Sequence, residues 1–178
     1  MKITEYLLAS HAEASQPLKD IAGIMVDTGM RPGEVVALRR MDVFLREGYV
    51  SIPGGKSKAA KRRIPLTDRV YEIFERRMQE VESEYLFISE ITDRPITTLK
   101  TGHMAAVRRS KIAYFRLYDL RHTFATRFIE ASGDLVTLQA LMGHSDIKMV
   151  TRYAHPTQQH QFEAIRRMQA RKSEMKRE

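Results

Sequence analysis

Apolar residues recur at helical spacing along most of this chain, and the period changes in one stretch only. Residues 3–13 carry Ile3, Tyr6, Leu7 and Leu8 and predict a first helix. A second helix is expected over 17–29, with Leu18, Ile21, Ala22, Ile24 and Met25 as its buried face, Pro17 near its start and Gly29 at its end. Pro32 stands where a first helical turn accepts proline, and Glu34, Val35 and Leu38 continue a short helix. Over 42–66 the runs Val43-Phe44-Leu45, Tyr49-Val50-Ser51-Ile52 and Arg63-Ile64-Pro65-Leu66 read as strands of an antiparallel sheet, punctuated by Pro53-Gly54-Gly55. Leu66-Thr67-Asp68 then caps a helix running to about Glu80, with Val70, Ile73, Phe74 and Met78 inward. Leu86-Phe87-Ile88 reads as a short buried strand. Helices are expected over 97–110, 119–132, 134–142 and 146–152, and a basic one over 157–174. The fold class implied is mainly α with a small antiparallel β-sheet (α+β). No internal repeat, low-complexity segment or interior linker interrupts it.

Composition narrows the function classes. The chain has 178 residues, enough for one domain with a real core, and is 43% hydrophobic. Its net charge of +8 and pI near 9.8 favour a polyanionic partner, nucleic acid first. A solvated basic surface is the plainer reading of the same charge. There is no cysteine, which excludes disulfides, thiolate nucleophiles and cysteine metal sites and fits a reducing compartment. No apolar run approaches the ~20 residues of a membrane span, and no signal peptide is visible.

Four islands carry chemistry. Thr28-Gly29-Met30-Arg31-Pro32-Gly33-Glu34 supplies an arginine at the start of a short helix. Lys56 to Arg63 is a basic stretch between strands. Tyr118-Asp119-Leu120-Arg121-His122 opens a helix, and Gly143-His144-Ser145 precedes Tyr153 by one short helix. A guanidinium offers planar, paired donors to phosphate oxygens and keeps its charge near neutrality. Each island alone has an ordinary structural explanation: a surface arginine paired with Glu34, a solvated hairpin, a histidine cap, a core tyrosine. Together they hold the parts for attacking a phosphodiester and stabilising its charge.

In order and spacing, these islands resemble the boxes of the tyrosine recombinase (phage-type integrase) family, over nearly the whole chain. The resemblance implies that residues 1–156 form the family's catalytic domain and 157–178 a basic C-terminal helix or tail. The separate amino-terminal DNA-clasping domain of the family is then absent. It further implies that Tyr153 is the nucleophile and that Arg31 and Arg121 clamp the phosphate. His144 would hydrogen-bond the phosphate or the leaving oxygen. A hairpin lysine, Lys58 with Lys56 as the alternative, would protonate the leaving 5′-oxygen, since lysine loses pKa when buried near other cations. Lys61, Arg62, Arg63, Arg108 and Arg109 would track the DNA backbone.

One position departs from the family pattern. Tyr118 stands where a histidine is usual. An ordinary phenol titrates near pH ~10, so Tyr118 suits hydrogen-bond donation rather than proton acceptance. His122 is expected to face inward and satisfy the core, while His155 is a candidate for accepting the proton of Tyr153. Glu34 is expected to orient Arg31 or cap its helix.

The implied reaction is strand cutting and rejoining in double-stranded DNA through a 3′-phosphotyrosyl intermediate, with no metal and no cofactor. Phe162, Ile165 and Met168 form an apolar strip at three-residue spacing. That strip suits docking on a neighbouring protomer in a tetramer on DNA, or on its own domain. A cytoplasmic, nucleoid-associated location of bacterial or phage type follows from the resemblance. The rival readings are a type IB topoisomerase, disfavoured by the compact pattern of the boxes, and a catalytically silent DNA-binding module of the same fold.

Overall fold

The computed structural model describes residues 16–54, 60–89, 91–111, 115–154, 161–162, 165–166 and 168–169. The helix expected over 3–13 lies outside them, as do Lys56, Lys58 and His155. Helix α1, Gln16–Thr28, ends where Gly29 turns left-handed at φ 66°. A Cβ on Gly29 would lie 2.3 Å from Phe124 Cδ1, so both the backbone angle and the space require glycine. Helix α2, Pro32–Val36, starts on proline, as expected for a residue with no N–H to satisfy.

Strands β1 (Val43–Phe44), β2 (Tyr49–Ile52) and β3 (Arg62–Pro65) form one antiparallel sheet in that order. Register pairs Val43 with Val50 and Val50 with Ile64. All three valine and isoleucine side chains therefore fall on the buried face. Thr67 caps helix α3, Asp68–Glu80, accepting from Val70 N–H; such a cap contributes about 1 kcal/mol. Leu86 and Phe87 are fully buried, but the segment makes only isolated bridges, Arg39 with Tyr85 and Ile88 with Pro95. The expected strand there is thus a buried connection outside the sheet.

Helices α4 (Lys100–Ser110), α5 (Asp119–Ser132), α6 (Leu135–Met142) and α7 (Lys148–Thr151) complete the described elements before the tail. Helix α1 packs against α2, α3 and α5 and forms the centre of the larger core. A smaller core of Ala125, Ile129, Leu138, Met142 and Val150 joins α5, α6 and α7, and Tyr153 packs against it. The mainly helical fold with one small sheet is as the apolar spacing predicts. Phe162, Ile165 and Met168 stand exposed at 66%, 54% and 61%.

Candidate active site

The site forms where the two cores meet, and helix α6 is tied there by two arginines. Arg121 donates to Met142 O at 2.6 Å and Arg62 donates to Leu141 O at 2.6 Å. These are carbonyls at the C-terminal end of α6, which leave the helix without internal partners and favour cations. Gly143, at φ 64°, turns the chain left-handed after them. His144 N–H returns to Gln139 O at 3.1 Å, and Gln139 Nε2 donates to His144 O at 3.1 Å. The turn delivers the His144 ring to Arg121, whose Nη2 donates to His144 Nε2 at 2.9 Å.

Among the described residues, Arg121 is the largest side chain with no exposure at all. Its Nη1 donates to Gly29 O, joining the first arginine box to the second. The paired fork expected to be open to a phosphate is thus occupied by Gly29 O, Met142 O and His144. Its Nε is buried without a partner. Burial, and next the charge of Arg31, lower the guanidinium to about 10; it stays cationic near neutrality. Burial and the Arg121 charge lower His144 to about 4, so its ring is neutral and its Nε2 lone pair free to accept from Arg121.

Glu34 organises the other cations. It accepts from Arg31 N–H at 2.8 Å and from Arg31 Nη1 at 2.8 Å. Arg62 reaches the same carboxylate through Nη2 at 2.8 Å and Nη1 at 3.1 Å. Burial opposes the charge on Glu34, but the hydrogen bonds from Arg62 and the Arg31 backbone outweigh it and hold the carboxyl at about 2. With 6% of its side chain exposed, Arg62 is an internal brace between β3 and α6. Its assignment to the DNA backbone is corrected: its nitrogens are spent on Glu34, Leu141 O and Ala60 O. Lys61, Arg63, Arg108 and Arg109 are exposed, and Arg63 lies 4.9 Å over the Tyr49 ring.

A cleft of about 320 Å³ opens beside Arg121 and His144, lined also by Arg116, Tyr118, His122, Met149, Arg152 and Tyr153. Tyr118, at the start of α5, is 39% exposed. Tyr153 follows α7, where its N–H bonds to Val150 O at 3.0 Å. Its hydroxyl meets His122 Nδ1 in a short hydrogen bond. Burial raises the Tyr153 phenol above its ordinary value, while the Arg152 charge pulls the other way.

The inward role expected for His122 is therefore overturned. On α5 it is Arg121 that turns into the core, and His122 faces the cleft. Tyr118 and His122, one turn apart, share that face, with ring centroids 5.4 Å apart and edge on. Arg116 and Arg152, both exposed cleft residues, were also missed by sequence reasoning. The available signal was proximity alone, since one stands two residues before Tyr118 and the other immediately before Tyr153.

Residues 2–160 match the phage integrase family, and the chain belongs to that family. It is 30% identical over 145 residues to tyrosine recombinase XerC of Proteus mirabilis, covering 77% of this chain and 47% of that protein. With the integrase of Salmonella phage P22 it shares 26% identity over 169 residues, 88% of this chain and 43% of that one. The Tn1549 transposon integrase, solved in complex with circular intermediate DNA, has the same fold. Its TM-score is 0.78 at 23% identity, over 92% of this chain and 64% of that one. The catalytic domain of bacteriophage HP1 integrase gives 0.69 at 24% identity, over 93% and 91%. The chain spans about half the length of the curated relatives it matches.

Proposed function

We propose that this chain is the catalytic part of a site-specific DNA recombinase that cuts and rejoins strands through Tyr153. The carrying observation is that the Tyr153 hydroxyl shares one cleft with Arg121, His144, Arg152 and Tyr118. Tyr153 Oη attacks the phosphorus, a 3′-phosphotyrosyl bond forms, and a 5′-hydroxyl leaves. A partner strand's 5′-hydroxyl reverses the step, because the covalent link conserves the phosphodiester.

Arg121 supplies a fixed buried charge at the cleft wall, which stabilises negative charge gathering on a phosphate in the cleft. Arg31, with a third of its side chain exposed beside Glu34, is the second cation for the phosphate. His144 holds Arg121 in place and presents a neutral ring. Tyr118 donates to the phosphate. Lys58, with Lys56 as the alternative, protonates the leaving oxygen. Exposed Lys61, Arg63, Arg108 and Arg109 contact the phosphate backbone of double-stranded DNA. The exposed strip of Phe162, Ile165 and Met168 docks on a second copy in the DNA-bound tetramer.

The test is a nicked duplex that traps the covalent intermediate. The chain is expected to become attached to the DNA, and Tyr153→Phe to lose attachment while keeping DNA binding. Binding without attachment by the unsubstituted chain would support a silent module, and an adduct formed by Tyr153→Phe would refute the nucleophile.

A further inference from the structure

The reaction requires Tyr153 to lose a proton, and the family's usual imidazole position holds a phenol, Tyr118. Three rings stand in a row in the cleft. Tyr118 meets His122 edge on at 5.4 Å between centroids, and His122 lies 5.9 Å from Tyr153 at 43°. The His122 Nδ1 lies in hydrogen-bond contact with the Tyr153 hydroxyl. Helix α5 fixes this ring from both sides: Arg121 is locked in the core one residue earlier, and Thr123 bonds back to Asp119 O at 2.9 Å one residue later. The arrangement is that of a base preset on its nucleophile.

We propose that His122 is the catalytic residue that takes the phenolic proton of Tyr153, filling through α5 the position that Tyr118 leaves without an imidazole. The inference rests on Tyr153 being the nucleophile. In the step, the Tyr153 O–H bond breaks as the Oη–P bond forms, and the proton passes to His122 Nδ1. The P–O5′ bond breaks, and the 5′-oxygen takes its proton from a separate acid, the hairpin lysine assigned above. In rejoining, the imidazolium returns the proton to the phenol.

The surrounding charges suit this role. His122 faces Tyr118, Asp119, Arg116 and Arg121 from its own helix and approach, and Arg152 and Tyr153 from the segment after α7. Burial lowers its basicity first; Asp119 opposes that, while Arg152, Arg116 and Arg121 add to it. The ring is therefore neutral near pH 7, with its Nδ1 lone pair available. Tyr153, raised by burial, keeps its proton until attack begins. Transfer is then coupled to bond formation, as general-base catalysis requires.

The test uses single-turnover adduct formation by this chain on two nicked duplexes, one ordinary and one with a bridging sulfur at the 5′ leaving position. A thiolate leaves without a proton, so sulfur relieves loss of the acid but not loss of the base. His122→Asn keeps an acceptor near Nδ1 but cannot take a proton. It should bind DNA normally, form adduct about 10²-fold or more slowly, and gain nothing from sulfur. The unsubstituted chain should level off with rising pH once His122 is neutral, and His122→Asn should keep rising. His122→Ala should recover with free imidazole, which separates proton transfer from folding. An unchanged rate in His122→Asn, rescue of that variant by sulfur, or no imidazole recovery in a folded His122→Ala overturns the inference alone. No adduct from the unsubstituted chain overturns the proposed function and this inference with it.

Discussion

Arg121 Nη2 donates to His144 Nε2 at 2.9 Å, inside the protein and away from solvent. Arg121 lies on α5 and His144 in the turn after α6, in different sequence boxes. Their bond means that the cation is positioned before any DNA arrives, and that His144 must stay neutral to accept it. The same Nη2 also donates to Met142 O, and Nη1 donates to Gly29 O, so one guanidinium sets the geometry of three boxes.

Arg121 is accordingly expected to matter for both folding and cleavage. Arg121→Lys cannot reach two carbonyls and an imidazole at once, and each buried acceptor left unpaired costs about 1–3 kcal/mol. The melting temperature should fall and single-turnover cleavage should drop about 10²-fold or more, as for loss of a preorganised donor. Full activity with unchanged melting in Arg121→Lys would remove both roles.

Arg62 and Arg63 are neighbours in sequence with opposite expected behaviour. Arg62→Ala or Glu34→Gln breaks a part-buried ion pair and should cost about 1–3 kcal/mol of stability. Arg63→Ala or Arg108→Ala should leave stability nearly unchanged and lower the salt slope of DNA binding by about one contact each. Thermal melting together with binding titrations across salt separates the two classes. A reduced salt slope with normal melting in Arg62→Ala would return that residue to the DNA surface.

Gly29→Ala should be disproportionately damaging for one added methyl. The new Cβ would lie 2.3 Å from Phe124 Cδ1 at a positive φ of 66°, and strain of this kind costs about 1–3 kcal/mol. The turn also carries the carbonyl that receives Arg121. Pairing Gly29→Ala with Phe124→Leu should recover only part of the stability, because the backbone angle remains. Complete recovery by denaturant unfolding would show that the clash alone mattered.

Stability should fall with acidity in two windows. His144 is lowered to about 4 from 6.5, so the unfolded chain binds more protons between those values and stability is lost as pH falls through them. His122 is lowered in the same direction. Glu34, lowered to about 2 from 4.5, adds a second loss as pH falls below its unfolded value. Denaturant midpoints from pH 8 to pH 3 should show this, and His144→Gln should flatten the upper window. A midpoint indifferent to pH between 6.5 and 4 would contradict the neutral, buried His144.

Tyr118→Phe should slow cleavage by the worth of one hydrogen bond, about 0.5–1.5 kcal/mol, and more with a charged acceptor. Tyr118→His should keep or raise activity by adding a second imidazole to the face that holds His122. Single-turnover cleavage of both variants is the measurement. A Tyr118→Phe protein as inactive as Tyr153→Phe would make the phenol itself essential.

Much of this fold was legible from the chain because its signals are local. Apolar spacing marked helices α1 and α3–α7, Thr67 and Pro32 marked two helix starts, and the change of period marked three strands. Motif spacing likewise singled out Arg31, Arg121, His144 and Tyr153. Local signals fail where an element's partner is distant. Leu86 and Phe87 read as a strand because they are buried, yet burial alone does not supply a neighbouring strand to pair with. Adjacent arginines 62 and 63 are equivalent in sequence, and only the pleat of β3, with Glu34 and α6 behind it, turns one inward and leaves the other out. The same holds for Arg121 and His122. Which of the two enters the core depends on the rotation of α5 against α1 and on the carbonyls of Gly29 and Met142, 92 and 21 residues away from Arg121 in the chain. Sequence thus determined the helices of the described core, the sheet and the candidate site side chains. Tertiary packing decided which of them are braces and which face the cleft, because burial of a charge is set by partners that only folding assembles.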